Sequence, residues 1–127
     1  MNNITLVNVV TIGNYIEIKI KVKNISYKKH VYIRASFDEW RTSIDYDAKY
    51  IESPNDKHDI FTCKLPIKNF IKFAICYKVS NMEYWNNNNG ENFYAGLRYD
   101  NNMTKLKPIP ETKITKTITI YSALNNI

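Results

Sequence analysis

Glycine is scarce in this chain, three residues in 127, beside four prolines. Reversals of direction must lean on Asn and Asp, the other residues that tolerate left-handed backbone. The shortage excludes a glycine-rich phosphate loop and a nucleophile elbow, which both need glycines at fixed spacing. Histidine is as rare: His30 and His58 are the only two, and neither stands at metal-ligand spacing from cysteine or carboxylate. No metal and no cofactor is expected. No apolar run nears the length of a membrane span. The start, MNNITLVNVV, has no positive segment ahead of a long apolar stretch, so no signal peptide and no membrane contact are read from it.

Cysteine is limited to Cys63 and Cys76. If the segments holding them form a hairpin turning near Pro66–Lys68, Cys63 faces position 71 or so. Alternation sets Cys63 with Phe61 and Leu65, but Cys76 opposite Ile75 and Tyr77. Side chains on opposite sides of a sheet cannot bridge. Two reduced thiols and a cytoplasmic, reducing compartment are expected, with secretion left open.

The net charge is +6. The lysines are spread out: Lys19, Lys21 and Lys23 alternate, and Lys28 and Lys29 share a turn. There is no Arg-rich stripe, so they read as a solvated sheet face and not as a nucleic-acid surface. Asp38, Glu39, Asp45, Asp47 and Glu52 make a loose acidic patch. A glycosidase pair needs two carboxylates held about 5–10 Å apart in a cleft, which a bare small sandwich seldom provides. No enzyme is expected.

What is abundant is tyrosine, ten residues, with five Phe and two Trp. Period-two alternation dominates. In Tyr15–Lys23, Ile16, Ile18, Ile20 and Val22 point one way and Glu17, Lys19, Lys21 and Lys23 the other. Val31–Phe37 repeats the pattern. Phe70–Val79 places Ile71, Phe73, Ile75, Tyr77 and Val79 on one face. Further strands are expected at Ile4–Thr11, Asp59–Leu65, Met82–Trp85, Asn92–Tyr99 and Thr112–Tyr121. Turn signals stand at Gly13-Asn14, Ser53–Asp56 and Asn86–Gly90, and Trp40–Asp47 has room for one helical turn at most. The length fits one domain. An all-β antiparallel sandwich of about eight strands is expected over residues 1–127, with 100–113 a long connection to a final edge strand.

The densest signal is Tyr84-Trp85-Asn86-Asn87-Asn88-Asn89-Gly90-Glu91-Asn92-Phe93. Asn-Gly alone suits a hairpin turn, which accounts for two of these residues. A pyranose has an apolar C–H face and a rim of hydroxyls. An indole stacks on the first, and an Asn amide, with two donors and an acceptor, pairs with the second. An uncharged amide loop beside a Trp therefore fits a neutral polyol.

With that loop, Val22–Val31, Phe37-Asp38-Glu39-Trp40, Tyr46–Ser53 and Phe73–Tyr77 occur in an order that resembles carbohydrate-binding module family 21. This family includes starch-binding domains of fungal glucoamylases and glycogen-binding domains of protein phosphatase 1 targeting subunits. The resemblance covers residues 4–99. It implies an immunoglobulin-like sandwich that binds α-glucan, glycogen or starch, at two sites. One would use Trp40, Trp85, Asn87, Asn88 and Asn89. The other would use Tyr27, with His58 standing where fungal starch binders carry Tyr. Asn92 is expected to brace the loop backbone. Asn86 replaces a usual Asp, Phe93 a usual Tyr, and Ala74 an aromatic that some members carry.

A phosphatase, glycogen synthase or glycoside hydrolase would then be brought to the polymer through other chains. The nearest approach to a phosphatase-docking motif, Ile71-Lys72-Phe73, lacks its preceding basic residue and falls in a core strand. The alternative reading is a protein–protein interaction sandwich whose hot spot is the same set of aromatics.

Overall fold

The alternation of Tyr15–Lys23 becomes a strand whose four aliphatic side chains are fully buried. It is β2 of a computed structural model that describes residues 3–99, 106–108 and 119–120, with side chains through Ala95. Strand β1 (Ile4–Ile12) pairs with it through the two-residue turn Gly13-Asn14. Gly13 has φ 61, the left-handed value that a two-residue hairpin turn asks of its first position.

Strand β3 (Lys29–Ser36) starts the opposite sheet, followed by β4 (Ile44–Asp47) and β5 (Lys49–Asn55). Then come β6 (His58–Pro66), β7 (Phe70–Val79), β8 (Met82–Asn86) and β9 (Phe93–Tyr99). Two short pieces, β10 (Leu106–Pro108) and β11 (Thr119–Ile120), both pair with β9. One sheet has the order β1-β2-β6-β5; the other runs β10-β9-β7-β3-β4, with β8 on β7. Every pairing among the described residues is antiparallel. The two sheets enclose Ile16, Ile18, Ile20, Val22, Ile33, Leu65, Ile71, Phe73, Ile75 and Tyr77, the core of an immunoglobulin-like sandwich. The Tyr77 hydroxyl crosses the core to donate to the Lys23 carbonyl at 2.5 Å, tying the two sheets together.

Three local expectations are corrected. Trp40–Asp47 holds no helical turn; its second half is β4, paired with β3. Ser53 and Pro54 lie inside β5, and the reversal comes later, at Asp56-Lys57. Pro54 is tolerated because β5 is an edge strand with irregular pairing to β6 between Glu52 and Asn55. Finally, β6 and β7 are not a hairpin: the chain crosses there from one sheet to the other. Cys63 and Cys76 are nonetheless both free and buried. Of the expected last strand, 119–120 are in β11; 112–118 and 121, like 100–105 and 109–113 of the connection, lie outside the described residues.

Candidate functional site

β8 and β9 pair with the same edge of β7. Ile75 faces Asn86 and Phe73 faces Phe93, so residues 87–92 are extruded opposite the single residue Ala74. The backbone of this excursion explains much of its composition. Asn88, Asn89 and Asn92 have φ of 59, 57 and 64, and Gly90 has 91. Asn and Gly are the residues that accept such angles at low cost. The amides also hold one another: Asn86 Oδ1 accepts from the Asn88 amide at 3.0 Å, Asn87 Oδ1 from the Gly90 amide at 2.9 Å. Asn88 is buried and its Nδ2 donates to the Asn92 carbonyl at 3.2 Å, while Asn92 is half-buried. Asn87 and Asn89 are exposed, and with Trp85, Tyr84, Asn86, Asn3 and Ile4 they line a hollow of about 220 Å³.

Alternation decides which ring of β8 faces out. Tyr84 packs against the core, and Trp85 lies on the outer face of the sheet with 40% of its surface exposed. Its cross-strand partner is Cys76, whose own partner on the far side is Tyr32. Tyr32 meets the indole edge-on at 5.9 Å, and the Arg34 guanidinium stands 5.2 Å from the ring centroid. Arg34 is fixed by a two-pronged bond to Asp45 at 2.8 and 3.0 Å, which raises its pKa and lowers that of Asp45. Burial pushes the Tyr32 hydroxyl up to about 12, so this face keeps a neutral phenol throughout the physiological range. Among the described residues no group of three or more His, Cys, Asp or Glu could hold a metal ion.

Trp40 is placed differently. It is half-buried in the loop after β3, at φ 70, with its amide donating to the Ser36 hydroxyl at 2.8 Å. Its Nε1 is buried without a hydrogen-bond partner among the described residues. Asp38 braces the same loop by accepting from the Thr42 amide at 2.9 Å and hydroxyl at 2.7 Å. Those bonds, with one from Ser36, hold the Asp38 carboxyl down at about 2. Lys72 anchors the loop to β7 through Glu39 at 2.6 Å. Trp40's loop, between β3 and β4, is thus tied to β7 at Lys72, two residues from Ala74, opposite which the Asn loop is extruded.

Tyr27 lies in the β2–β3 connection, 94% exposed. It borders a groove of about 690 Å³ with Tyr50, Ser53, Asp59, Phe61 and Lys29. Tyr50 is 55% exposed, set edge-on to Phe61 at 5.8 Å, with its hydroxyl 2.7 Å from Ser53 Oγ. Ser53 in turn donates to Asp59 at 2.6 Å, and the buried Lys29–Asp59 ion pair at 2.8 Å forms the floor. Burial works against the Asp59 carboxylate, but Lys29 and Ser53 outweigh it and leave the pKa lowered. His58 does not border this groove; it is half-buried beside Asn55, whose Oδ1 lies 3.2 Å from its Nδ1. The aromatic that shares the groove with Tyr27 is Tyr50, on a strand exposed along its whole length, where no alternation in the sequence marks it.

These two aromatic surfaces can be set beside known proteins. The profile of the carbohydrate/starch-binding module (family 21) matches residues 1–95. Protein phosphatase 1 regulatory subunit 3B of Rattus norvegicus is 31% identical, over 82% of this chain and 40% of its own length. The chain thus spans well under half of that relative. The carbohydrate-binding module of the muscle glycogen-targeting subunit of protein phosphatase 1, a solution structure, superposes with a TM-score of 0.65 at 30% identity, covering 72% of this chain and 73% of that one. The starch-binding domain of Rhizopus oryzae glucoamylase, solved with β-cyclodextrin and maltoheptaose, gives 0.61 at 26% identity, covering 72% and 91%. With the fold, the Asn loop and the profile in agreement, the chain belongs to carbohydrate/starch-binding module family 21.

Proposed function

We propose that this module binds α-glucan without catalysis and so brings an associated protein to glycogen or starch. The observation that carries the reading is Trp85: an outward indole, 40% exposed, bordering a hollow walled by the uncharged amides Asn87 and Asn89. The ring supplies an apolar shelf for the C–H face of glucose, and the amides supply donors and acceptors for its hydroxyls. The groove between Tyr27 and Tyr50 is the second site. Trp40, half-buried in the loop that Asp38 and the Glu39–Lys72 pair hold, has less ring to offer.

The strength should be modest. One stacked ring and a few solvated hydrogen bonds correspond to micromolar to millimolar affinity, about −8 to −4 kcal/mol. A polymer repeats the epitope, so two sites on one module gain by effective concentration. The relatives carry regulatory-subunit and glycogen-targeting names, which favours a phosphatase as the protein delivered. The Ile71-Lys72-Phe73 stretch is not its docking element, because Ile71 and Phe73 are fully buried in β7.

The test is depletion on insoluble starch and on glycogen, with Trp fluorescence followed during titration with maltoheptaose. Loss from the supernatant and a fluorescence change are expected. A protein that stays in solution with unchanged emission would shift the assignment to a protein-binding sandwich using the same rings.

A further inference from the structure

The hollow between the two sugar surfaces is basic, and a neutral glucan gives no reason for that. It has a volume of about 640 Å³ and opens at the β7–β8 end of the second sheet, with Lys28, His30, Lys78, Ser80, Asn81 and Glu83 on its walls. It shares Lys28 and Lys29 with the Tyr27 groove. On its other side Glu83 stands two residues from Trp85, on the same face of β8. Lys78 and His30 face each other across β7 and β3, one row from the Cys76–Tyr32 pair that adjoins Trp85. The hollow thus borders the Tyr27 groove on one side and the strand that carries Trp85 on the other.

Its charges are unevenly committed. Lys29 is held by Asp59, and His30 Nε2 lies 2.9 Å from Asp47. Glu83 accepts the Trp85 indole N–H at 2.7 Å. Lys28 and Lys78 are exposed and enter no ion pair among the described residues. The Lys78 ammonium stands 5.8 Å from the centroid of Tyr32, the ring that meets Trp85 edge-on. Ser80 and Asn81, both at positive φ in the tight β7–β8 turn, add a hydroxyl and an amide at the rim. Two ammonium groups outside any ion pair, one of them Lys78 across from Glu83 on β8, with neutral donors beside them, are the chemistry that recognises a phosphomonoester, which carries close to two negative charges at neutral pH.

We infer that this hollow takes a phosphomonoester borne on the bound α-glucan, so that the module prefers phosphorylated over neutral polymer. The inference rests on the glucan reading above. It gives the basic residues between the two aromatic sites a task that stacking leaves unfilled.

The test compares three titrants by calorimetry: maltoheptaose, a maltodextrin of similar length carrying a glucose 6-phosphate unit, and free glucose 6-phosphate. At low salt the phosphorylated maltodextrin should bind about three- to tenfold tighter than the neutral one, the scale of one or two partly exposed ion pairs. The preference should shrink toward unity near 1 M salt, where screening length falls to about 3 Å. In Lys78→Gln the ratio of the two affinities should fall close to one. Equal affinities for the two maltodextrins in the wild type would overturn the inference while leaving the glucan reading in place. Free glucose 6-phosphate binding as tightly as the phosphorylated maltodextrin would also overturn it, in favour of a site for free hexose phosphate. If no maltodextrin binds, the glucan reading itself falls, and this inference with it.

Discussion

The indole N–H of Trp85 donates to the Glu83 carboxylate at 2.7 Å, two residues back on the same face of β8. The one polar atom of the ring is thereby satisfied within its own strand, and what remains outward is apolar surface. That is the condition for a stacking shelf that costs little to leave in water. Trp85→Ala should therefore remove the maltoheptaose binding that belongs to this shelf, with little loss of fold. The contacts removed are the exposed hydrogen bond to Glu83, the edge-on approach to Tyr32 and the Arg34 contact, together about 1–2 kcal/mol. A melting temperature lower by about 4–10 °C is expected for a domain of this size. A drop far beyond that would mean the ring is core, and the stacking proposal would fail.

Asn86 is a staple as well as a loop residue. Its Nδ2 donates to the Ile4 carbonyl of the opposite sheet at 3.0 Å, while its Oδ1 accepts from Asn88 at 3.0 Å. An Asp can do the second but not the first, and would set a carboxylate oxygen against a carbonyl. Asn86→Asp should cost about 1–3 kcal/mol, read as a lower urea midpoint at unchanged slope. Equal midpoints would show that the Ile4 bond carries no stability.

The parts of this fold that were legible in the sequence share one physical cause. In β2 and β7 one face is buried and the other wet, so side-chain polarity alternates with the pleat, and both strands could be placed from residue types alone. In the structure the same pleat turns Trp85 outward from β8. The alternation fails for β5, which is exposed along its whole length and so has no reason to alternate. Ser53-Pro54 there looks like a turn and is a bulged edge. Tyr50 has no pattern there to mark it, and the resemblance points instead to His58, which does not border the groove. The crossing between β6 and β7 was illegible because three residues join them, a length that suits a hairpin as well as a change of sheet. In the Asn loop, the sequence assigns backbone roles only to Asn89-Gly90 and Asn92, whereas left-handed backbone also accounts for Asn88.

The braced carboxylates predict how the fold responds to acid. Hydrogen bonds from Thr42 and Ser36 hold Asp38 near 2, below the roughly 3.9 of an unfolded chain. The unfolded state takes up the proton first. The stabilisation is thus complete above about pH 4 and is lost as pH falls through about 2. Asp59, whose pKa is also lowered, adds in the same direction. Melting temperature should be flat from neutral pH to about 5 and fall steeply below 4. In Asp38→Asn the fall should be shallower, since an amide does not titrate. Identical profiles for the two proteins would remove Asp38 from the account.

The two thiols should be silent in the native protein. Cys63 is in the core of the β6 sheet, with burial pushing its pKa up to about 12. Cys76, buried beneath Trp85 and Tyr32, is raised in the same way. A thiolate is the reactive form, and the two sulfurs belong to different sheets. With Ellman's reagent at pH 8, no thiol should react within minutes in the folded state, and both should react in denaturant. A denatured sample with no free thiol would mean that the two sulfurs are bonded and the arrangement of the strands is wrong.

Two sugar surfaces on one module predict a difference between short and long ligands. If the Trp85 shelf and the Tyr27–Tyr50 groove each bind, maltoheptaose should occupy both, and either Trp85→Ala or Tyr27→Ala should leave one site. Tyr27 is 94% exposed, so its removal should hardly alter stability. On glycogen the loss should be larger than on the oligosaccharide. The second contact is intramolecular there, and losing it forfeits the effective concentration, a penalty of about tenfold or more. Stoichiometry from calorimetry and depletion curves on glycogen check both points. Should Tyr27→Ala match the wild type in stoichiometry and in retention on glycogen, the groove is not a sugar site, and Trp85 alone must carry the binding.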